Sequence, residues 1–589
     1  MSETTFPAEK RHSKDVESNG SSNSDFHVPN ADSKPPGVLT IEAARAVASW
    51  QLWVLYIGIG LTAYVYGLDN NTMYAYLQAA ASNANKYPLY STLSTINTVI
   101  IAVGKFPIAK LSDVFGRAQG YALSLALWLM GFVMIAGSQN FGTVIAGVVF
   151  YSFGNTGTQI MQQIIIADAL TTRWRGLGIG LLSLPYVINF AVAPKIAGSL
   201  APTGVTPPPQ SWRWGPGSFA IICCVAVAPV IFALALSQQQ AKKQGKAPRH
   251  PYRAAGASKG FRQFADDMDL GGLFLIAAGW LLVLLPLSLH TYAPNGWNTP
   301  YIIGMIVTGF VLLIILGFYE WLVAPQPILV KRFLKSKDVM FPALIAFFDF
   351  VSFYLSWSSA YYFVVILKNW GTQDALYFSN TQSLCLTVFG IAAGAANYFF
   401  RRYKWSMVFA AAVRVLGLGL MIAYRHAGAT TAQLVIPQIL QGLGGGILGI
   451  NLQVSAQVSV PHQDVAIVTA FVLLFAEVGG AVGTAILGAI QTTVLPREFA
   501  RLLPGQPDIQ ASLFANPLTA IATYPLGSPV RDALIEAWSL YMREALIVAI
   551  CLAVIPLVLS CFLADKKLNN KQNLVEYDEE GNLVEHSLK

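Results

Sequence analysis

The chain has 589 residues, of which 54% are hydrophobic and only 12% are charged. Soluble proteins usually carry about 25% charged residues, so this composition excludes an ordinary soluble domain and favours a membrane protein. In such a chain the net charge of +8 does not indicate nucleic-acid binding, and we expect no nucleic-acid partner.

Fourteen apolar stretches follow one another along the chain. Each has roughly 20 residues, enough to cross about 30 Å of hydrocarbon as a helix. Lipid offers the backbone no hydrogen bonds, so only helices and closed barrels can span it. Uniformly apolar stretches favour helices over the alternating strands of a barrel. We therefore predict an all-α polytopic membrane protein with spans at 50–74, 89–108, 119–137, 141–165, 176–198, 217–236, 270–289, 300–322, 339–367, 379–400, 404–424, 431–455, 465–492 and 543–563.

The loops and tails set the orientation and the domain boundaries. The side that holds the N-terminus carries about 28 of the 38 Lys and Arg residues, which predicts cytoplasmic termini by the positive-inside rule. Six spans, then two, then six suggest two related bundles with two inserted helices. The predicted domains are a disordered cytoplasmic tail (1–48), an N-terminal six-helix bundle (49–236), a basic cytoplasmic linker (237–269), two inserted helices (270–338), a C-terminal six-helix bundle (339–563) with an extracellular loop (493–542), and a cytoplasmic tail (564–589) that we also expect to be disordered.

A charged string lies between spans 2 and 3, with the sequence AKLSDVFGR at 109–117. It resembles the motif that members of the major facilitator superfamily carry at this place, which implies their fold. Asp113 can cap or pair across a half-bundle, Gly116 permits a tight turn, and Arg117 holds a charge at the inner face. We predict a gating role for these residues and for a second inner-face charge network formed by Asp168, Arg173 and Arg175.

More specific strings resemble the fungal siderophore–iron transporter family. They are YGLD at 66–69, STLSTIN at 91–97, IIIAD and RWRG within 164–176, SWRWG at 211–215, VPHQDVAIVTA at 460–470 and YPLGSPVRDA at 524–533. The resemblance implies a fourteen-helix, proton-driven importer of ferric siderophores. It also implies that the long, aromatic-rich outward loop at 493–542 assists substrate capture, and we expect that coil-rich loop to close over the cavity entrance through Tyr524, Arg531, Trp538 and Tyr541.

Embedded carboxylates are the candidates for proton coupling, because an ionisable side chain is costly in hydrocarbon. Asp69 lies 19 residues after Trp50, about 28 Å along the helix and therefore in the outer part of span 1. Glu477 lies within span 13, and Asp349 lies near the inner third of span 9. The alternative for each is a structural hydrogen bond or ion pair, which for Glu477 would involve Arg414.

Uncharged polar side chains indicate a substrate cavity. Asn155, Gln159 and Gln162 repeat at spacings of four and three, so they share one side of span 4. Amides and aromatic rings suit a large, nearly neutral, amide-rich ligand such as a hydroxamate siderophore, although interhelical hydrogen bonding is the alternative for any single amide. The predicted cavity residues are Tyr66, Asn155, Gln159, Gln163, Asn189, Tyr354, Trp357, Tyr361, Gln438 and Gln441.

All seven histidines lie in predicted tails or loops, and no embedded His or Cys cluster could ligate a bare transition-metal ion. We predict no metal site and no cofactor, and we find no constellation typical of an enzyme. The prediction is a monomeric, proton-coupled importer of ferric siderophores in a fungal plasma membrane, with an endosomal or vacuolar membrane as the alternative. A drug or glutathione:proton antiporter, a non-transporting nutrient sensor, and haem as the cargo remain open.

Overall fold

The computed structural model describes residues 49–169, 182–202, 210–243, 269–290, 293–324, 331–460, 465–566, 575–577 and 583–585, and a few residues between 260 and 266. Its N-terminal half consists of α1 (Ser49–Asn83), α2 (Tyr90–Phe115), α3 (Arg117–Ala136), α4 (Phe141–Ala169), α5 (Pro185–Leu200) and α6 (Trp214–Lys243). Short 3₁₀ turns at Tyr87–Leu89, Gln210–Arg213 and Gly296–Asn298 lie in connections. The inserted helices are α7 (Leu270–Leu284), α8 (Pro286–Leu289) and α9 (Pro300–Leu322).

The C-terminal half continues the helical pattern. After the short α10 (Lys331–Lys335) it consists of α11 (Lys337–Trp357), α12 (Ala360–Lys368), α13 (Thr372–Phe400), α14 (Lys404–Tyr424), α15 (Thr431–Gln457), α16 (Val465–Leu502), α17 (Pro507–Ala515), α18 (Pro517–Thr523) and α19 (Pro529–Cys561). Two short antiparallel strands, β1 (Val575–Tyr577) and β2 (Leu583–Glu585), follow. The expectation of a disordered C-terminal tail is wrong for these two strands.

Every predicted span coincides with helix where the structure describes it, although several helices are longer than predicted. Eight helical segments in the described residues are individually long and apolar enough to cross a membrane. Span 9 consists of two helices, α11 and α12, with a break at 358–359. α1 continues to Asn83, past the predicted end at 74. The described part of the chain is thus all-helical apart from the small strand pair, with the long apolar helices of a multi-pass membrane protein.

The helices pack into two halves with a seam between them. In the N-terminal half α1 packs against α5 and α6, and α4 packs against α2 and α3. In the C-terminal half α13 packs against α15, and α11 packs against α16 and α19. The contacts of α2 with α16 and of α5 with α13 join the halves. α7 and α9 pack on each other, and α7 also contacts α2.

The predicted coil-rich loop at 493–542 is mostly helical, which corrects that expectation. α16 has 38 residues, about 57 Å of helix, and therefore extends well past a hydrocarbon layer of about 30 Å. Arg497 and Arg501 of α16 form ion pairs with Glu544 and Glu536 of α19, at 3.0 and 2.7 Å. We call the end of the bundle that carries α17 and α18 the capped end, and the opposite end, where α1 begins and α19 ends, the tail end.

Candidate functional site

Asp69 lies in the interior of the N-terminal half with neutral partners only. The Tyr151 hydroxyl donates to Asp69 Oδ2 at 2.8 Å, and the Asn155 side-chain amide donates to the same oxygen at 3.3 Å. Asp69 Oδ1 is buried and has no hydrogen-bond partner. Within the described residues no cation forms an ion pair with this carboxyl group. Because α1 continues to Asn83, Asp69 lies deeper than the outer position predicted for it.

Glycines bring α3 and α4 close together beside this carboxyl group. A Cβ atom at Gly131 would collide with the backbone of Tyr151, and one at Gly154 would collide with the backbone of Trp128. Trp128 is fully buried and lies 6.3 Å, between ring centroids, from Tyr66. The close backbone approach fixes the position of Tyr151 and hence of its hydroxyl group. Sequence reasoning missed Tyr151, although it precedes Asn155 by one helical turn.

Asp349 has a different environment in the C-terminal half. Arg414 Nε lies 2.7 Å from Asp349 Oδ1, and both side chains are buried, with 3% and 10% exposed. The Arg414 Nε–H does not point at this oxygen with hydrogen-bond geometry, so the contact is an ion pair. The suggested pairing of Glu477 with Arg414 is therefore wrong, because Arg414 is committed to Asp349. This arrangement matches the structural alternative given for Asp349.

Glu477 pairs instead with Lys105 of α2, a residue that sequence reasoning missed. Lys105 Nζ lies 2.8 Å from Glu477 Oε1, with 11% and 15% of the two side chains exposed. The contact joins the two halves. The signal for Lys105 was available, because a lysine inside the predicted span 89–108 is as unusual as a carboxylate.

The predicted cavity amides divide into two groups. Gln159 and Gln163 of α4 are half-buried, as is Tyr66 of α1, so they remain candidates for contact with a ligand. Gln441 donates to the backbone carbonyl of Arg414 at 2.6 Å, and Asn189 donates to that of Tyr64 at 3.0 Å.

The interhelical alternative therefore describes Gln441 and Asn189 in this structure, and Asn155 is a partner of Asp69. Gln438 is fully buried, and neither its amide nitrogen nor its amide oxygen has a hydrogen-bond partner.

Aromatic rings join the two halves at the capped end. Tyr74 of α1 contacts Trp357 and Tyr361 of the C-terminal half, with ring centroids 5.5 and 6.2 Å apart. Tyr87 lies 4.3 Å from Tyr362, again between centroids. Two of the predicted cavity aromatics, Trp357 and Tyr361, therefore face α1 of the opposite half. A third predicted cavity aromatic, Tyr354, lies against Gly480 of α16.

Polar contacts supplement these rings at the capped end. Asn516, between α17 and α18, donates to the Ser82 carbonyl at 2.8 Å and to Asn85 Oδ1 at 3.0 Å. Thr372 donates to the backbone carbonyl of Ala201 at 2.6 Å. The halves are therefore in contact at this end, which is closed in this structure. Sequence reasoning missed Asn516.

The predicted capture residues do not form an exposed loop. Arg531, Trp538 and Tyr541 lie on α19 and are buried, whereas Tyr524 is half-buried. Arg531 donates to the Ile366 carbonyl at 2.8 Å. The hydroxyl groups of Tyr541 and Ser359 lie 2.8 Å apart, bridging α19 and the start of α12. These residues therefore form part of the closed capped end rather than a coil above it.

The motif at 109–117 is described in part. Gly116 has φ +108°, a conformation that favours glycine, and connects α2 to α3. Arg117 is buried and donates to Ser112 Oγ at 2.8 Å. The side chains of Asp113 and Asp168 lie outside the described residues. Arg173 and Arg175 lie outside them entirely.

Comparison with known proteins identifies relatives over nearly the whole chain. The family described as Major Facilitator Superfamily matches residues 52–484. The MFS siderochrome iron transporter C of Aspergillus fumigatus is 33% identical over 93% of this chain and 90% of that protein. The siderophore iron transporter mirC of Emericella nidulans is 33% identical over 94% and 91%. The low affinity heme transporter str3 of Schizosaccharomyces pombe is 31% identical over 98% and 93%.

Solved structures agree on the fold. A bacterial homologue of the human lysosomal transporter Spinster superposes with a TM-score of 0.54 at 13% identity, covering 87% of this chain and 98% of that one. The peptide transporter POT in complex with sulfate gives a TM-score of 0.53 at 14% identity, covering 82% and 96%. At these identities the likeness concerns the fold.

Proposed function

This chain belongs to the major facilitator superfamily, whose members are transporters rather than enzymes, and we propose that it imports ferric hydroxamate siderophores into fungal cells by proton-coupled alternating access. The proposal rests on relatives that match almost the whole length of this chain. Two proteins named as siderophore or siderochrome iron transporters match more than nine-tenths of the chain.

The polar groups of the interior support a nearly neutral cargo. Gln159, Gln163 and Tyr66 are half-buried and uncharged, so they offer hydrogen bonds without attracting a bare ion. No cluster of three or more His, Cys, Asp or Glu side chains in the described segments could hold a metal ion. Iron is therefore proposed to cross as cargo, inside its chelator.

We place proton coupling on Asp69 and Glu477 rather than on Asp349. Asp69 accepts hydrogen bonds from neutral groups, so it can bind a proton without breaking an ion pair. Glu477 contacts the opposite half, so its charge can respond to the movement of the halves. Asp349 is held by Arg414 within one half, which suits a structural role.

The proposed cycle moves the two halves as rocking bodies around a site near the midplane. We assign the capped end to the outside and the tail end to the cytoplasm, in a plasma membrane, following the charge distribution of the loops. The structure then represents a state closed to the outside by Tyr74, Tyr87 and Asn516. Opening to the outside separates these residues from their partners, and we propose that Arg531 and Trp538 then contact the arriving chelate. A monomer is sufficient for this cycle.

Haem is a second candidate cargo, because the relative named as a low affinity heme transporter covers 98% of the chain. An uptake panel separates the two. Transporter-deficient fungal cells that express the chain are given radio-iron as ferrichrome-type, coprogen-type, fusarinine-type and catecholate chelates and as haem. We expect accumulation of at least one hydroxamate chelate, abolished by a proton ionophore.

Accumulation of haem alone would contradict the siderophore assignment. Export of a preloaded chelate would indicate an antiporter instead. A nutrient sensor would show no uptake, and its signalling would be lost when residues 1–45 and the final 20 residues are deleted, a change that a carrier should tolerate.

A further inference from the structure

One ion pair holds the two halves together at mid-depth. In the described residues, Lys105–Glu477 is the one ion pair that joins the N-terminal half (α1–α6) to the C-terminal half (α11–α19). Lys105 Nζ and Glu477 Oε1 lie 2.8 Å apart. Lys105 lies ten residues from the tail-end terminus of α2, and Glu477 lies twelve residues from that of α16. These positions correspond to about 15 and 18 Å of helix, near the middle of a hydrocarbon layer of about 30 Å.

The seam on the capped side of this pair is neutral. The hydroxyl oxygens of Thr95 and Thr484 lie 3.2 Å apart. A Cβ atom at Gly480 would lie 3.1 Å from Thr98 Cγ2, so α2 and α16 approach closely there. The helices are therefore joined by small neutral groups toward the capped end and by a charge pair at mid-depth. Any separation of α2 from α16 must break that charge pair.

The other titratable groups around Glu477 are hydroxyls. Tyr66 of α1 and Tyr354 of α11 interact electrostatically with it, and α7, α15 and α19, which also pack on α16, bring no further charged partner to it in the described residues. Asp349 of α11 and Arg414 of α14 neutralise each other. Lys105 is therefore the compensating charge of Glu477, and removing that compensation at mid-depth would leave an unpaired charge, which is costly.

We propose that Lys105 is the fixed counter-charge of the coupling carboxylate, and that a proton bound to Glu477 replaces Lys105 as its partner when the carrier is loaded. The inference rests on the proposed function and deepens it. In the empty carrier the Glu477 carboxylate and the Lys105 ammonium group sum to zero. In the loaded carrier Glu477 is a neutral acid and Lys105 keeps its charge, so the pair contributes one positive charge.

The net charge of the pair determines which transport step the membrane potential drives. The proton enters from the outer solution, travels on the Glu477 carboxyl group and leaves to the cytoplasm, which restores the carboxylate. A ferric trihydroxamate is neutral, because three hydroxamate anions balance Fe³⁺, and Asp69 contributes equally in variants that retain it. Through the Lys105–Glu477 pair, an inside-negative membrane potential therefore drives the loaded step, and the pair itself adds no voltage dependence to the empty return. Lys105 is a positioning residue, since it touches Glu477 and not the cargo.

Two transport modes test the charge balance in liposomes containing the purified full-length chain and a radio-iron ferrichrome-type chelate. Exchange of labelled for unlabelled chelate cycles only the loaded carrier, whereas accumulation needs the empty return. The proposal expects voltage dependence of exchange in the wild type and in Glu477→Gln, and its loss in Lys105→Gln and in the double variant. It expects proton-driven accumulation to fall at least about tenfold in all three variants while exchange continues.

Arg402→Gln is the matched control, because Arg402 forms an exposed ion pair with Asp565 within the C-terminal half. It should keep wild-type exchange and accumulation. Wild-type voltage dependence of exchange in Lys105→Gln would overturn the proposal. If single variants are poorly folded, the double variant, which removes both charges and leaves neither unpaired, supplies the same comparison.

A second measurement follows the contact between α2 and α16 in the absence of cargo. Thr95→Cys with Thr484→Cys, in a chain whose native cysteines are replaced by alanine, is oxidised to the disulfide with added copper phenanthroline. The yield should fall from high to low pH by more than the loss of thiolate alone accounts for, because a proton on Glu477 releases Lys105. Adding Glu477→Gln should leave only the ordinary pH response of the two thiols, and equal responses with and without Glu477→Gln would overturn the counter-charge role. If the wild type shows the response but neither exchanges nor accumulates the chelate, the proposed function fails while the counter-charge role of Lys105 stands.

Discussion

The two halves bury a carboxyl group in opposite ways. In the N-terminal half Asp69 accepts hydrogen bonds from Tyr151 and Asn155, both neutral. In the C-terminal half Asp349 lies against the guanidinium of Arg414. A buried acid with neutral donors can exist with or without its proton in the same geometry. A buried acid beside an arginine of its own half resists protonation, because a proton would leave that arginine charge without compensation.

This difference separates function from structure among embedded charges. Burial and residue type are shared by Asp69 and Asp349, so neither property identifies the coupling group. We propose that the partner distinguishes the coupling group, because neutral donors permit a change of charge and a fixed cation opposes it. Glu477 is the intermediate case, because its cation belongs to the other half and can withdraw.

The largest expected effect is on the buried pair of the C-terminal half. Arg414→Gln leaves Asp349 without its cation, and breaking one side of a buried pair typically costs about 3–5 kcal/mol. We expect a large fall in the thermal midpoint of the detergent-solubilised protein. Arg402→Gln removes an arginine from an exposed pair with Asp565, worth about 0–1 kcal/mol. Equal midpoints for the two variants would contradict the structural role of Asp349–Arg414.

The second effect concerns transport rather than stability. Asp69→Asn keeps an oxygen that accepts from Tyr151 and Asn155, so folding should change by less than about 1 kcal/mol. Because an amide cannot carry a proton through the cycle, proton-driven accumulation should fall at least about tenfold while exchange continues. Asp532→Asn, at an exposed position of α19, serves as the control. Normal accumulation in Asp69→Asn would remove Asp69 from the coupling scheme.

The fold was largely predictable because apolar length is a strong signal in lipid. The predicted spans fall mainly on helix in the described residues, although span 7 is interrupted at 285 and span 9 at 358–359. The ends of the helices were not predictable in the same way. The segment at 493–542 contains polar residues because α16 and α19 extend beyond the hydrocarbon, and hydropathy cannot distinguish a polar helix from a loop.

The sequence predicts which residue types form the site, but not which side chains contact each of them. Asp69, Glu477 and Asp349 follow from the cost of embedded charge, but Tyr151, Lys105 and Asn516 become visible only through contacts between distant segments. The sequence argument misses Lys105 because it treats only carboxylates as coupling groups. Arg531, Trp538 and Tyr541 were assigned to a loop because helix packing at the capped end depends on the tertiary arrangement.

The smallest expected effect compares one buried tyrosine hydroxyl group in each half. Tyr151 and Tyr541 are both buried, and each makes a 2.8 Å hydrogen bond through its hydroxyl, the first to the Asp69 carboxyl group and the second to the neutral Ser359. A hydrogen bond to a charged group is worth about 1.5–3 kcal/mol, against about 1 kcal/mol between neutral groups.

Tyr151→Phe should therefore destabilise the protein by more than Tyr541→Phe when Asp69 is ionised. Adding Asp69→Asn should reduce the cost of Tyr151→Phe to that of Tyr541→Phe, because the acceptor is then neutral in every molecule. Thermal midpoints of the single and double variants, measured across pH, report the charge state of Asp69 without any transport assay. A cost of Tyr151→Phe that equals that of Tyr541→Phe at every pH would mean that Asp69 holds its proton throughout, and a group that never releases its proton cannot couple transport to the proton gradient.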